Sequence, residues 1–187
     1  MDIVVPIKMV PDLVEELEID AEGRDLDRSF LKLRLSEWDE QAVEEALLLK
    51  DKHGARVTVI ALDLGDVDET LFTCLAKGAD RAIKLTGGET AQGSSRATAD
   101  VLAKALKGIP HDLILTGVQA VDDRDGQVAV FADQSDFCRR RICTFNLDLK
   151  QEFICFFDIK IYRFKHLVHD CKYLRQLMYL MVTLTSS

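Results

Sequence analysis

A chain of 187 residues that is 48% hydrophobic and 30% charged has the material for one sizeable core and is not a disordered or low-complexity polypeptide. Its formal net charge of -8 argues against nucleic acid as a partner, because phosphate backbones are met with an excess of Lys and Arg. The start MDIVVPIK lacks a basic secretory signal, the run LMYLMVTL is far below the roughly 20 residues a membrane span needs, and five cysteines without paired spacing read as reduced thiols, so a cytoplasmic chain with no membrane insertion is expected.

In chain order, IVVPIK is expected to form a first buried strand. LEIDAEGRDLDRSFLKLRL reads as two extended arms around an acidic turn at Glu22-Gly23, a hairpin. SEWDEQAVEEALLLKDKHGA has the pattern of a helix. Ser36 stands at its N-cap with Asp39 three residues on, acids fill the first turn and Gly54 ends it. Trp38, Ala42, Val43, Ala46, Leu47 and Leu49 supply its buried stripe. RVTVIAL is a second strand, Asp68 to Lys77 a second helix closed by Gly78, and RAIKL a third strand. SSRATADVLAKALKG gives a third helix, capped by Ser94 or Ser95 and ended by Gly108, and DLILTG a fourth strand. Strands separated by helices of 10–15 residues mean βαβ units, and so an α/β fold with a parallel, Rossmann-like sheet. Right-handed crossovers then bring the C-terminal ends of the strands to one edge, where open sheets bind ligands. Pro6 to Pro11, Leu64-Gly65-Asp66 and Gly117 to Val128 all fall there.

Near residue 131 the chain changes character. Residues 1–130 hold 15 basic and 26 acidic residues, whereas residues 131–187 hold 9 and 6. All ten glycines and all three prolines come before residue 131, and ten of the thirteen aromatics come from 131 onward. Gly and Pro make up roughly 12% of an ordinary sequence and supply its turns. A tail with none reads as an atypical extension, foreign or frame-shifted, from about residue 132. Within it DIKIYRFK alternates like a half-buried strand, and Leu167, Cys171, Leu174, Met178 and Met181 fall on one helical stripe. The HxxHxC of His166, His169 and Cys171 offers three ligands where zinc needs four, and is read as accidental.

The fourth strand runs into GVQAVDDRDGQV, where Asp122, Asp123 and Asp125 surround Arg124. Three readings stand. A solvated acidic turn is the plain one. A cation site requires converging carboxylates, and neighbouring Asp122 and Asp123 tend to diverge. An anion cradle uses the free N–H groups of Gly126, Gln127 and Val128 at the start of a helix, with Asp125 as cap and Arg124 as partial compensation. GGETAQGSS reads as an ordinary helix entry rather than a phosphate loop. No GxGxxG, GxxxxGK[ST] or GxSxG occurs. Trp38 is a core anchor or a wall against a purine ring.

VVPIKMVPD, DEQAVEEALLLK, LAKGADRAIKL and GVQAVDDRDGQV, in that order and spacing, resemble the β subunit of electron transfer flavoprotein over about residues 1–131. The resemblance implies an adenine nucleotide alpha hydrolase-like domain, incomplete at its C-terminus, that performs no substrate chemistry itself. It implies AMP, or a second FAD in electron-bifurcating relatives, bound by this chain, and an electron-carrying FAD shared with an α subunit that holds most of it. Acyl-CoA or other dehydrogenases would feed in electrons, as in fatty acid oxidation. The nucleotide would be held by Pro6, by Ser36, Glu37, Trp38 and Asp39, by Leu64, and by Gly117, Val118, Gln119, Ala120, Val121, Asp122, Asp123, Arg124, Asp125, Gly126, Gln127 and Val128. Two positions depart from the family pattern: Ala129 stands where a Gly is usual, and Ser36-Glu37 where Asn or Pro often opens the helix. Two rival functions stay open. One is a metal-dependent phosphotransferase or hydrolase using the three Asp residues, the other a stand-alone adenine-nucleotide sensor.

Overall fold

The computed structural model describes residues 1–14, 17–23, 26–27, 31–65, 67–87, 94–123 and 125–134, and the backbone of three further strands between 142 and 164. The first strand, β1 (Asp2–Ile7), has five consecutive buried residues because helices cover both faces of the sheet. Side chains alternate across it. Ile3, Val5 and Ile7 enter one cluster together with Val57 and Val59. Val4 points the other way, to Ile60 and Ile114.

A short hairpin follows, β2 (Met9–Pro11) and β3 (Leu33–Leu35), paired antiparallel. The expected arm LKLRL is thus paired with the residues just after β1 rather than with LEID. The arms continue through Asp12 N–H to Lys32 O at 2.9 Å, and Ile19 bridges Leu26 around the turn at Asp20–Gly23. The hairpin is therefore longer than its sequence pattern suggests.

Helix α1 (Glu37–His53) ends as expected at Gly54, whose φ of 65° suits a residue without a Cβ. Its start differs from expectation. Ser36 makes no side-chain cap hydrogen bond, and Asp39, instead of closing a capping box, turns away from the helix. Then come β4 (Arg56–Leu62), α2 (Val67–Lys77), β5 (Arg81–Leu85), α3 (Ser95–Leu106) and β6 (Leu113–Gly117). Ser94 is the cap of α3, its hydroxyl accepting from Ala97 N–H at 3.3 Å. Helices α1 and α2 cover the Ile3 face, where Val43, Ala46, Leu71 and Cys74 are buried. Helix α3 and the short α4 (Val128–Gln134) cover the other face through Ala99, Leu102, Leu106 and Ala129.

The sheet order is β5-β4-β1-β6, then β7 (Ile142–Asn146), β8 (Glu152–Phe157) and β9 (Lys160–Phe164). All pairs from β5 to β7 are parallel, whereas β8 and β9 are antiparallel. An incomplete sheet would leave an apolar edge at β6, but β7 covers it, with Ile114 opposite Ile142 and Gly117 opposite Phe145. ICTFN, EFICFF and KIYRF are rich in the β-branched and aromatic side chains that favour strands. The alternating pattern expected of DIKIYRFK is that of β9. The helical stripe and the HxxHxC motif lie outside the described residues.

The chain leaves β1 towards β4 and β5, then crosses back through α3 to β6 on the other side. Strand order therefore reverses between β1 and β6, and the crevice outside their C-terminal ends is the ligand position of open α/β sheets.

Candidate functional site

A cleft of about 940 Å³ opens at that crevice. Its floor is Pro6, Ile114 and Thr116, one wall is Pro11, Leu26, Leu31 and Leu33 of the hairpin, and another is the first turn of α3 with Ser94, Ser95 and Arg96. The loop after β6 completes the rim. Arg96 lies over the Phe131 ring, 5.3 Å from its centroid, which fixes a guanidinium at the cleft side of α3. The Thr116 hydroxyl is buried without a hydrogen-bond partner.

The rim loop is a tight structure. Ala120 and Asp123 exchange both backbone hydrogen bonds, at 3.0 and 3.2 Å, leaving Val121 and Asp122 at the corner. Asp122 points to Lys8, Oδ1 to Nζ 2.8 Å, and so ties the loop to the end of β1. Ser95 Oγ stands 3.0 Å from Asp123 Oδ2 and 2.8 Å from Asp125 Oδ2. One hydroxyl hydrogen serves one carboxylate at a time. Asp123 is accordingly pushed above its ordinary range by burial and by the neighbouring Asp125, while the Gln127 amide and Ser95 hold Asp125 below. Asp125 Oδ1 accepts from Gln127 N–H at 3.0 Å, one residue ahead of α4, much as a cap would. Gly126 takes φ 64°, and a Cβ there would stand 3.1 Å from Val118 O. The three acids do not converge on one point, and among the described residues no three His, Cys, Asp or Glu side chains could hold a metal ion.

Beneath the loop sits the least expected residue. Asp39 is only 8% exposed, and its carboxylate accepts Lys8 N–H at 2.9 Å and Gly117 N–H at 3.1 Å. It joins the ends of the two strands between which the sheet order reverses. Burial pushes it up to about 7, against the lowering effect of those two amides and the Lys8 ammonium. Gly117 makes the approach possible: a Cβ there would collide with Asp39 Oδ1 and lie 2.9 Å from Trp38 Cβ.

Of the residues singled out in the sequence, Pro6, Asp39, Leu64, Gly117, Val118, Gln119 and Ala120 line the cleft. Asp122, Asp123, Asp125, Gly126 and Val128 line it as well. Ser36, Glu37, Trp38, Val121 and Gln127 do not, and Arg124 lies outside the described residues. Ser36 is wholly buried and Glu37 faces outward, pairing with Arg34 at 3.4 Å. The Trp38 indole N–H is buried without a partner beside the end of β6, which fits an anchor better than a wall of this cleft. Sequence reasoning missed Lys8, Ser95, Arg96 and Thr116. Lys8 lies in the stretch after β1 that the edge rule marks. Ser95 was hidden in a segment that reads as a plain helix entry.

An open α/β sheet with a cleft at its switch point, floored by parallel strands and rimmed by a short loop-to-helix turn, is the arrangement of the doubly wound class, whose ligands bind at that crevice. The electron transfer flavoprotein domain model matches residues 26–131, and the chain belongs to that family. It is 37% identical over 125 residues to electron transfer flavoprotein subunit beta of Methylophilus methylotrophus, covering 65% of this chain and 47% of that one. To the subunit beta of Clostridium acetobutylicum it is 38% identical over 128 residues, 68% and 49% of the two chains. Protein FixA of Azotobacter vinelandii is 34% identical over 132 residues, 68% of this chain and 47% of that one. The chain spans about half the length of the curated relatives it matches.

Proposed function

We propose that the cleft holds an adenine nucleotide and that the chain serves as the β-type half of a two-subunit electron carrier. The observation that carries this is the position and lining of the cleft: about 940 Å³ at the β1/β6 switch point, within the roughly 300–1,000 Å³ of small-molecule sites. The lining fits the group. Leu26, Leu31 and Leu33 offer an apolar wall for a base, and the unpartnered Thr116 hydroxyl can serve a ribose or phosphate oxygen. Gly126 and Val128, which line the cleft, can turn main-chain N–H groups to the phosphate, and Arg96 brings balancing charge. Gly126 keeps its turn open because it carries no Cβ.

On this reading the nucleotide bound by the chain is AMP, or FAD in a bifurcating carrier. The electron-carrying FAD, which would supply the one- and two-electron chemistry when bound, is held chiefly by an α subunit. The residues of this chain bind, orient and exclude water, and none acts on a substrate. Acyl-CoA or other dehydrogenases are the electron donors, and the compartment is the cytoplasm. No helix among the described residues is long and apolar enough to cross a membrane.

Calorimetry with AMP on the full chain tests the reading. Saturable 1:1 binding is expected, together with a yellow, nucleotide-containing complex when an FAD-carrying α subunit is added. Absence of both, or Mg²⁺ binding in place of AMP, would overturn it.

A further inference from the structure

Among the described residues four carboxylates border the cleft, Asp39, Asp122, Asp123 and Asp125, against the cations Lys8 and Arg96. Three lie at the rim: Asp122 pairs with Lys8 Nζ at 2.8 Å, and Asp123 and Asp125 share the one Ser95 hydroxyl, at 3.0 and 2.8 Å. Asp39 differs in kind. Its partners are two peptide N–H groups, Lys8 at 2.9 Å and Gly117 at 3.1 Å, one from each strand flanking the crevice. A protonated carboxyl keeps acceptor lone pairs on both oxygens. Asp39 can therefore gain a proton and still hold both strand ends, one through its carbonyl oxygen and one, more weakly, through its hydroxyl oxygen.

Its surroundings leave that proton free to respond to a ligand. The titratable groups facing it are Lys8 at the end of β1, Asp122 in the loop after β6 and Cys74 on α2. Among the described residues Lys8 is the single cation of these, and Asp122 already engages its ammonium. A phosphate ester entering the cleft adds negative charge over a buried carboxylate that lacks a cation of its own. Neutralising that carboxyl is the cheapest response, since charge in a poorly hydrated site is costly.

We propose that Asp39 is a specificity-determining residue of the cleft, taking up one proton as an anionic group enters and so admitting a phosphate ester without added buried charge. The inference rests on the adenylate reading and says which form of the site accepts the ligand. Burial already pushes the Asp39 carboxyl up to about 7, which puts the exchange in the neutral range.

The test is calorimetry of the full chain with AMP between pH 7.5 and 9, in two buffers of different ionisation enthalpy. Phosphate monoesters have lost their second proton there, since it leaves near about pH 6. About one proton taken up per AMP is expected, with affinity falling by up to about tenfold per pH unit. Adenosine should bind without proton uptake. Asp39→Asn should abolish the uptake. Glu45→Gln, which removes another carboxyl pushed up by burial but outside the cleft, should keep it.

AMP binding without proton uptake in the native chain, or uptake retained in Asp39→Asn, overturns this inference and leaves the adenylate reading intact. No AMP binding at any pH overturns both. Should Asp39→Asn fail to fold, carboxyl ¹³C NMR of the native chain at pH 8 decides. The Asp39 resonance moves to its protonated position on adding AMP, or the inference fails.

Discussion

At Gly117 a Cβ would collide with the Asp39 carboxylate and stand 2.9 Å from Trp38 Cβ and 3.0 Å from Asp39 N, all three parts of the first turn of α1. The φ angle makes no demand there, so the constraint is close approach alone. Gly117→Ala should force α1 away from β6 and cost about 1–3 kcal/mol, the range for overpacking a tight contact. Urea unfolding measures it, and nucleotide binding should weaken in step because the floor of the cleft moves. Asp39 carries its own pH signature. Its folded value of about 7 lies above the ordinary 3.8, so between these the native state holds a proton that the unfolded chain has lost. The Asp39 contribution to stability is then greatest below the ordinary value and falls as pH rises towards 7, by roughly 4 kcal/mol in all. Asp39→Asn leaves an amide that can accept from only one of the two N–H groups through its oxygen. It should lower stability by about 1–3 kcal/mol at pH 5 and flatten the decline between pH 4 and 7. Denaturation midpoints across that window decide. A stability difference between the native chain and Asp39→Asn that stays constant over it would contradict the burial of this carboxyl.

The helices and strands of the first 134 residues were mostly legible in the sequence, for a physical reason. Continuous apolar runs, acids in first turns and glycines after last turns report local preferences, and local preference agrees here with tertiary packing. What was not legible is what depends on contact between distant segments. Ser36 and Asp39 have the spacing of a capping box, but Asp39 lies 31 residues from Lys8 and 78 from Gly117, and those amides win its oxygens. LKLRL pairs with Met9–Pro11 rather than with LEID because the hairpin is rooted at the end of β1. In the site, the edge rule located the loop after β6 and the residues after β1. Periodicity carried no sign that Ser95 would reach Asp123 and Asp125. A similar long-range tie governs the turn before β5. Asp80 accepts Val57 N–H at 2.8 Å and Lys50 Nζ at 2.6 Å, joining α1, β4 and the end of α2. Lys50 and the Val57 amide hold its carboxyl below the ordinary range. A depressed carboxylate contributes stability above its unfolded value and loses it as pH falls. The side chain is 34% exposed, so screening keeps the effect small. Asp80→Asn should cost about 1 kcal/mol at pH 7, and the difference should shrink as pH falls through the ordinary value of 3.8 towards the lower folded one. Paired denaturation curves at pH 7 and pH 3 read it.

Taken as a whole molecule, the chain puts its chemistry where the sheet reverses and its novelty beyond the family match, which ends at residue 131. Composition marked that boundary through the loss of Gly and Pro, yet composition alone could not show that the segment supplies strands. Backbone pairing does: β7 takes the place beside β6, and β8 and β9 extend the sheet antiparallel. Two views of the extension follow, incidental appendage or working edge cover, and truncation separates them. Removing residues 135–187 deletes β7 to β9 and uncovers β6, a strand whose Leu113, Ile114 and Leu115 are buried. The freed row of N–H and C=O groups on an apolar strand is a template for pairing with another chain. Gly117, which holds Asp39, is on that strand, so loss of the edge also loosens the cleft. The truncated chain should therefore unfold at a lower temperature, associate with increasing concentration by light scattering, and bind AMP more weakly than the full chain. Unchanged melting, a monomer at all concentrations and undiminished AMP binding would show instead that residues 1–134 stand alone and that the extension is a passenger.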